Sequence, residues 1–317
     1  MIRRTNPSTL SFERMKMGNR PSILLVAKRP GITSFVSLYP IKRTIDPKVG
    51  HAGTLDKFAE GLLIALTGAM TRLNPLFSGL DKEYVATILF GQQTDTLDPE
   101  GIVVRSGPVP ELGMIKETIK RAFFGQLKQI PPEYSAVHVD GRRSYSLARS
   151  GHVPDLPARD IRIDAFEVLS WDAPLLVARI AVSKGTYIRS IARDLGLACG
   201  SCARLERLVR TRIGPYELAE AVDPEDRGAL ENAVIHTEEL LERLPVYGRM
   251  VVDDDALFPL ANGRIPRQQD MVSMELDPDD RYAGLYSHGG RLHAVASLKE
   301  DGSIDRIIAQ IPEQERR

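Results

Sequence analysis

The feature that most constrains the fold of this chain is an irregular alternation of strand-like and helix-like segments. Short runs of apolar and β-branched residues predict strands at 23–27, 84–90, 161–169 and 175–183. Apolar residues at helical spacing predict helices at 55–67, 111–124 and 188–195. Because strands and helices do not alternate one for one, the pattern favours an α+β fold with a mixed sheet over a doubly wound parallel sheet.

The C-terminal part of the chain has a different character. An acidic segment at 224–243 predicts a helix, and after it short strand-like runs lie between turns rich in Gly, Asp and Pro. These runs are at 247–252, 281–286, 291–298 and 304–310. A chain of 317 residues suits one large domain and one small one. We therefore expect a basic extension at 1–20, a large domain at 21–245 and a small β domain at 246–317.

Composition excludes several classes of protein. With 43% hydrophobic and 26% charged residues, the chain is not mainly disordered. No apolar run approaches the roughly 18 residues of a membrane helix, and 1–20 lacks the apolar stretch of a secretion signal. Cys199 and Cys202 have no second pair and no nearby histidine to complete a zinc site, so we interpret both as small buried residues. These observations predict a cytoplasmic protein without a membrane association.

The net charge is zero, but the charges are unevenly distributed. Residues 1–60 carry 11 Lys and Arg against 4 Asp and Glu, and residues 184–212 carry 7 against 2. Residues 217–243 carry 2 against 9. Such blocks are usually solvated surface. If the fold brought both basic segments to one face, they would instead line a site for a polyanion such as nucleic acid.

The densest motif is a glycine-punctuated segment at 48–56 (KVGHAGTLD), directly before the predicted helix at 55–67. Thr54 would cap that helix, and Asp56 would lie in its first turn as a surface carboxylate that the helix dipole stabilises. A glycine-rich loop before a helix also suggests phosphate binding. However, the segment has neither the GKS/T of a P-loop nor the GxGxxG of a dinucleotide site.

Two other segments carry candidate functional residues. At 183–190 (SKGTYIRS) a strand ends and a helix starts, with Arg189 at the mouth of the turn. Arg189 is either the partner of a buried carboxylate or a surface residue at a helix start. The segment at 129–145 (QIPPEYSAVHVDGRRSY) is either a clamp over a polyanion or a long surface loop.

Together and in this order, these segments resemble the bacterial tRNA pseudouridine synthase B (TruB) family, whose members convert uridine 55 of the tRNA T-loop to pseudouridine. The segment at 48–56 is similar to the family motif KxGHxGTLDPxAxG. Further similarities span 23–216 and lie at 28–35 (KRPGITSF), 82–101, 131–149, 183–189 and 208–214. The chain departs from the family pattern at Ala27, Arg29 and Lys57, none of which removes a group that the chemistry needs.

The resemblance implies a pseudouridine-synthase fold. Its central sheet would be mixed, largely antiparallel and flanked by helices. Residues 127–155 would form an insertion that closes over RNA like a thumb, and residues 246–317 would form a PUA-like RNA-binding domain.

The resemblance also implies roles for individual residues. Asp56 would be the essential carboxylate, which either attacks C1′ of the ribose or removes the C2′ proton. Arg189 would keep Asp56 ionised and oriented, and Tyr84 would lie against the flipped uracil. The resemblance further implies that substrate is bound by His51, Tyr187, Leu208, Lys28, Lys48, Arg142 and Arg143.

Because the reaction is an isomerisation without electron transfer, the resemblance implies no cofactor and no metal. It implies tRNA as the partner, with no obligatory protein partner and a monomeric enzyme. Three alternatives remain open from the sequence: a guide-RNA-dependent relative, an RNA-folding chaperone that does not need Asp56, and an unrelated hydrolase with an aspartate nucleophile.

Overall fold

The structure is a computed structural model that describes residues 21–134, 138–139, 142–143, 156–245 and 247–311, with backbone alone at 138–139 and 142–143. The strands are β1 (Ile23–Lys28), β2 (Val49–Ala52), β3 (Glu60–Thr67), β4 (Lys82–Phe90), β5 (Gln92–Thr94), β6 (Val103–Ser106), β7 (Gly125–Gln129), β8 (His138–Val139), β9 (Arg142–Arg143), β10 (Arg159–Asp172), β11 (Leu175–Val182), β12 (Ala203–Ile213), β13 (Tyr216–Glu217), β14 (Tyr247–Val252), β15 (Met271–Glu275), β16 (Tyr282–Tyr286), β17 (Leu292–Leu298) and β18 (Ile304–Gln310). The α-helices are α1 (Tyr39–Thr44), α2 (Asn74–Ser78), α3 (Leu112–Ala122), α4 (Ile188–Ala198), α5 (Arg227–Ala233), α6 (Thr237–Glu242) and α7 (Asp254–Ala261).

Within the described residues, nine strands form one central sheet. Seven of them lie in the order β1-β3-β12-β4-β11-β10-β7, while β2 pairs with β3 and β13 with β12. The pairing of β12 with β3 is parallel, and the other pairings in this sheet are antiparallel. The prediction of an α+β fold with a mixed, largely antiparallel sheet is therefore confirmed.

The predicted helix at 55–67 is wrong, because its second half is the strand β3 and its first half is a loop. Leu62, Ile64 and Leu66 pack in one apolar cluster, and the residues between them pack in another. A strand buried on both faces lacks alternating polar residues, so its leucines fit helical spacing equally well. Consequently Thr54 caps no helix, and Asp56 lies in the loop between β2 and β3.

The close approach of β3 to β12 depends on Gly61. Its φ is +110°, and a Cβ atom at this position would collide with the backbone carbonyl of Arg210. Only glycine combines this backbone conformation with such close contact. Gly61 therefore allows the parallel pairing that brings the loop carrying Asp56 beside β12.

The acidic segment predicted as one helix at 224–243 is divided. It contains α5, a 3-10 turn at Val234–His236, and α6. The Asp226 side chain caps α5 by accepting a hydrogen bond from the Ala229 N–H at 3.0 Å. The apolar spacing continues through the break, which is why the sequence suggested a single helix.

The C-terminal strands form a second sheet in the order β15-β14-β16-β17-β18, which includes the four strands predicted there. The pattern did not predict β15 or α7. Tyr286, Leu292 and Val295 of this sheet belong to the same apolar cluster as Leu66 and Leu240. The two sheets therefore share buried contacts, while the domain boundary near 246 stays a prediction.

Candidate active site

A cleft of about 490 Å³ opens where the β2–β3 loop meets the start of α4 and the strands β4 and β12. Five of the residues predicted to act on substrate line it: Asp56, Tyr84, Tyr187, Arg189 and Leu208. The other lining residues were not predicted as site residues, and they include Lys82, Tyr134 and Arg210. Segments far apart in the sequence thus meet at one place.

Asp56 and Arg189 form the central ion pair of the cleft. Arg189 Nε lies 2.9 Å from Asp56 Oδ2, and Arg189 Nη2 donates a hydrogen bond to Asp56 Oδ1 at 3.2 Å. The Nε–H is not aligned with its oxygen, so that contact is electrostatic. The Arg189 side chain is 5% exposed and the Asp56 side chain 37% exposed. A buried cation therefore holds a carboxylate that solvent and a substrate can reach.

A second carboxylate, Asp98, holds Arg189 from the loop after β5. Asp98 Oδ2 lies 3.5 Å from Arg189 Nη1, which also donates to the Thr96 carbonyl at 2.9 Å. Asp98 in turn accepts hydrogen bonds from the Thr96 hydroxyl at 2.6 Å and the Glu100 N–H at 3.0 Å. Burial raises the pKa of the Asp98 carboxyl, and these hydrogen bonds and Arg189 oppose that effect. Asp98 is part of the 82–101 motif, but its position in the chain gave no sign of this contact.

The β2–β3 loop is fixed by residues of the 28–35 motif. The Leu55 N–H donates to Ser34 Oγ at 2.9 Å, and Ser34 Oγ donates to the Leu55 carbonyl at 3.0 Å. Lys28 Nζ donates to the Lys57 carbonyl at 3.3 Å and to the Ala59 carbonyl at 2.5 Å. Burial lowers the pKa of Lys28 to about 8. Lys28 Nζ also donates to the Arg29 carbonyl at 3.0 Å, and its predicted contact with substrate stays a prediction.

Arg210 lies behind the cleft and is fully buried. Its Nε donates to the Leu62 carbonyl at 2.8 Å, and its Nη2 donates to the Gly53 carbonyl at 3.0 Å. Burial lowers the pKa of this guanidinium, and interactions with Tyr84 and Asp56 oppose the shift. Arg210 thus ties β3 and the start of the β2–β3 loop to β12.

Lys82 is a second buried cation that lines the cleft. Its Nζ donates to the Ser78 carbonyl at 2.8 Å and to the Leu80 carbonyl. Burial, aided by Arg210, lowers the pKa of Lys82 to about 8. A lysine held in this way is neutral in part of the molecules slightly above neutral pH.

The start of the predicted 127–155 insertion is anchored next to the cleft. The Tyr187 N–H donates to Gln129 Oε1 at 2.9 Å, and Gln129 Nε2 donates to the Tyr187 carbonyl at 3.1 Å. Arg189 Nη2 also donates to the Tyr134 carbonyl at 3.0 Å. Residues 135–137, 140–141 and 144–155 of this insertion lie outside the described residues. Arg142 and Arg143 form β9, but their side chains lie outside the description.

Two further predicted substrate-binding residues lie near the β2–β3 loop. His51 is half-buried on β2, and burial, aided by Arg210, lowers its pKa. Its buried Nδ1 has no hydrogen-bond partner among the described residues. Lys48 is exposed one residue before β2. Neither lines the cleft as described, so their contact with substrate stays a prediction.

The positive surplus of residues 184–212 is largely neutralised within the protein. Five of its arginines form ion pairs: Arg189 with Asp56 and Asp98, Arg193 with Asp194, Arg204 with Glu206, Arg207 with Glu60, and Arg212 with Glu83. Glu60 and Glu83 come from distant strands, and Asp56 and Asp98 come from distant loops. A charge count over a short window of sequence therefore overstates the charge that this segment offers to a polyanion.

Cys199 and Cys202 are both buried and unpaired, as predicted. Among the residues that the structure describes, no cluster of His, Cys, Asp and Glu is placed to hold a metal ion. No helix in the described ranges is both long and apolar enough to cross a membrane.

Comparison with solved structures supports the fold. The chain superposes on a Cbf5-Nop10-Gar1 complex with a TM-score of 0.68 at 22% identity, covering 93% of this chain and 87% of that one. It superposes on an H/ACA RNP bound to a substrate RNA containing 2′-deoxyuridine with a TM-score of 0.65 at 21% identity, covering 93% and 85%. At this level of identity the likeness concerns the fold alone.

Comparison with protein families and curated relatives supports the identity of the site. Residues 41–188 match the TruB family pseudouridylate synthase (N terminal domain). The chain is 42% identical over 244 residues to the tRNA pseudouridine synthase B of Borreliella burgdorferi, covering 76% of this chain and 84% of the relative. It is 36% identical over 299 residues to that of Caulobacter vibrioides, covering 90% and 95%. With a cleft built on the aspartate loop and relatives of this length and identity, the chain belongs to the tRNA pseudouridine synthase B (TruB) family of isomerases.

Proposed function

We propose that this protein isomerises uridine 55 in the T-loop of tRNA and that Asp56 carries the chemistry. The observation that supports this most directly is the unequal exposure of the central ion pair, with an accessible Asp56 carboxylate on a buried Arg189 guanidinium. The names of the curated relatives supply the substrate class.

The reaction breaks the N1–C1′ bond of uridine, turns the base and joins C5 to C1′, so no atoms are gained or lost. Asp56 either attacks C1′ or removes the C2′ proton, and both routes need its ionised form. Arg189 favours that form through charge and hydrogen bonding. Tyr84 and Leu208 line the space for the base, and Tyr84 lies near C5, whose proton must leave at the end. A cleft that excludes water strengthens these electrostatic interactions.

A uridine inside a folded T-loop must leave its stack before it can enter the cleft. Extrusion costs a few kcal/mol, and stacking on aromatic side chains returns about 1–3 kcal/mol per base. In this proposal His51 fills the vacated space or stacks on an extruded base. Residues 127–155 close over the RNA, with Arg142 and Arg143 toward its phosphates, and Lys48 adds a further phosphate contact. Residues 246–317 form a PUA-like RNA-contacting module.

We also infer that the enzyme acts as a cytoplasmic monomer without a guide RNA or an obligatory protein partner. The curated relatives named tRNA pseudouridine synthase B, at 36–42% identity, support this inference. The solved structures that contain Cbf5 with other proteins are only 20–22% identical and therefore weigh less against it. An additional role as a tRNA-folding chaperone, which requires tRNA binding but not the reaction at Asp56, is compatible with the same cleft.

The test is chemical mapping of pseudouridine in a tRNA transcript incubated with the purified protein alone. We expect modification at position 55, and none when Asp56 is replaced by Asn. Modification only after addition of a guide RNA would favour the guide-dependent alternative. Absence of any pseudouridine, with tight tRNA binding retained, would favour the chaperone alternative.

A further inference from the structure

An exposed pair of aromatic rings lies at the start of the first helix. Phe35 and Tyr39 are 58% and 46% exposed. Their ring centroids are 5.8 Å apart with an interplanar angle of 76°, so the pair has edge-to-face geometry. The two rings contact each other, so they form one exposed aromatic pair and not two scattered side chains.

The backbone places this pair on the same stripe as two cations. The chain is helical from the 3-10 turn Val36–Leu38 through α1, and residues four apart share a helical face. Phe35, Tyr39 and Arg43 follow that spacing, and Lys42 lies beside them. We refer to Phe35, Tyr39, Lys42 and Arg43 as the aromatic-cationic strip.

The opposite side of the same segment supplies the core. Leu38, Ile41 and Ile45 are buried in one apolar cluster that also contains Leu24 and Leu63. The segment is therefore held by its inner face. Phe35 and Tyr39 belong to none of the apolar core clusters of the described residues, so substitutions there leave those clusters intact.

The cations of the strip differ from most arginines around the cleft. Lys42 and Arg43 are exposed and form no ion pair with a described residue, whereas Arg193, Arg207 and Arg212 are each paired with a carboxylate. Cations that the chain itself does not neutralise are available for the phosphates of a polyanion.

The strip also adjoins the catalytic loop. Ser34, the residue before Phe35, exchanges two hydrogen bonds with Leu55, the residue before Asp56. A ligand that contacts Phe35 is thus held by a segment directly bonded to the loop that carries the reactive carboxylate.

We propose that the aromatic-cationic strip is a second RNA-binding site, which stacks an unpaired base on the ring of Phe35 or of Tyr39 while Lys42 and Arg43 contact the adjoining phosphates. This inference rests on the proposed function in taking tRNA as the ligand. Alternation of aromatic rings with cations is the usual composition of surfaces that bind unpaired nucleotides. The two exposed cations, which form no ion pair with a described residue, favour a polyanion over a protein partner.

The test compares two variants of the full-length protein with a matched control on a tRNA transcript. The variants are Phe35→Ala combined with Tyr39→Ala, and Lys42→Ala combined with Arg43→Ala. The control is Ile235→Ala, which removes a 74% exposed apolar side chain from the acidic segment. Filter binding gives the affinity, chemical mapping gives pseudouridine formation, and ultraviolet crosslinking with mass spectrometry locates bases stacked on aromatic residues.

For the aromatic variant we expect binding about tenfold weaker than wild type, the loss of one stacked base. For the cation variant we expect the magnitude of the slope of log affinity against log salt to fall by about 1.4, for two phosphate contacts on single-stranded RNA. Wild type should give crosslinks at Phe35 or Tyr39, and the control should behave as wild type.

Unchanged affinity in the aromatic variant, or an absence of crosslinks at both rings, would overturn the proposal whatever else binds there. The proposed function fails in a different way: wild type would then form no pseudouridine. If the wild type modifies tRNA and the aromatic variant binds tRNA with the same affinity as the wild type, the proposed function holds and the proposed RNA-binding role of the strip is wrong.

Discussion

Arg189 and Asp56 lie 2.9 Å apart, yet the guanidinium is buried and the carboxylate is more than a third exposed. Because Arg189 is also bound by Asp98 and by two backbone carbonyls, its position does not depend on Asp56. A cation fixed from behind stabilises and orients the Asp56 carboxylate without shielding it from a ligand. The protein therefore fixes Arg189 independently of Asp56, while the Asp56 carboxylate stays accessible.

Replacement of Asp56 by Asn keeps the size of the side chain and removes its charge and nucleophilicity. We expect single-turnover isomerisation to fall below detection, since both routes open to Asp56 use the ionised carboxylate. The affinity for tRNA should change by less than about tenfold, or roughly 1.4 kcal/mol, because phosphate contacts and stacking supply most of the binding. Filter binding on the same preparation measures the affinity. Residual isomerisation, with deamidation excluded by mass spectrometry, would remove Asp56 from the catalytic role.

Replacement of Arg189 by Lys keeps the charge but not the planar fork that contacts Asp56, Asp98 and the carbonyl groups together. We expect the rate at saturating tRNA to fall by about 100-fold, the scale of losing one preorganised electrostatic group. Arg193→Lys is the matched control, because Arg193 lies on the same helix and pairs with Asp194 at 2.8 Å. A rate for Arg189→Lys that equals the control would contradict the positioning role.

The depressed pKa of Lys82 predicts a pH dependence of stability. Its folded value of about 8 lies below the ordinary 10.5, so between these values the unfolded chain binds more protons than the folded one. The free energy of unfolding of wild type, relative to Lys82→Met, should therefore rise with pH above about 8, by up to roughly 1.4 kcal/mol per pH unit. Below pH 8 the difference should be constant.

Urea unfolding of both proteins from pH 7 to 10 measures this difference, in which the titration of all other groups cancels. A difference that stays flat over the whole range would show that the folded protein does not destabilise the charged form of Lys82.

Much of the fold followed from local pattern. The strands β1, β4, β10 and β11 and the helices α3 and α4 were predicted, because each has one clear period or a short run of β formers. The strand β3 was not, since burial on both faces removes the alternation that distinguishes a strand.

The candidate site was less predictable from sequence. The family motifs indicated Asp56 and Arg189, but Asp98, Lys82 and Arg210 stood in those motifs without an assigned role. A single sequence does not tell which charged residues are buried, because the partner that stabilises a buried charge is supplied by tertiary structure. The same limit applies to the charge surplus of 184–212, which carboxylates of remote strands neutralise.

Gly61 offers a test of the contact between β3 and β12. Its φ of +110° is strained for any other residue, and a Cβ atom would collide with the Arg210 backbone. Gly61→Ala should lower the free energy of unfolding by about 3 kcal/mol and displace the catalytic loop, with loss of activity. Gly113→Ala on α3 is the matched control: nothing lies within 4 Å of its Cβ, so helix propensity predicts a gain of about 0.5–1 kcal/mol. Urea unfolding measures both variants. Equal stability of the two would mean that β3 and β12 do not approach each other at Gly61, and the placement of the Asp56 loop beside Arg210 would then be wrong.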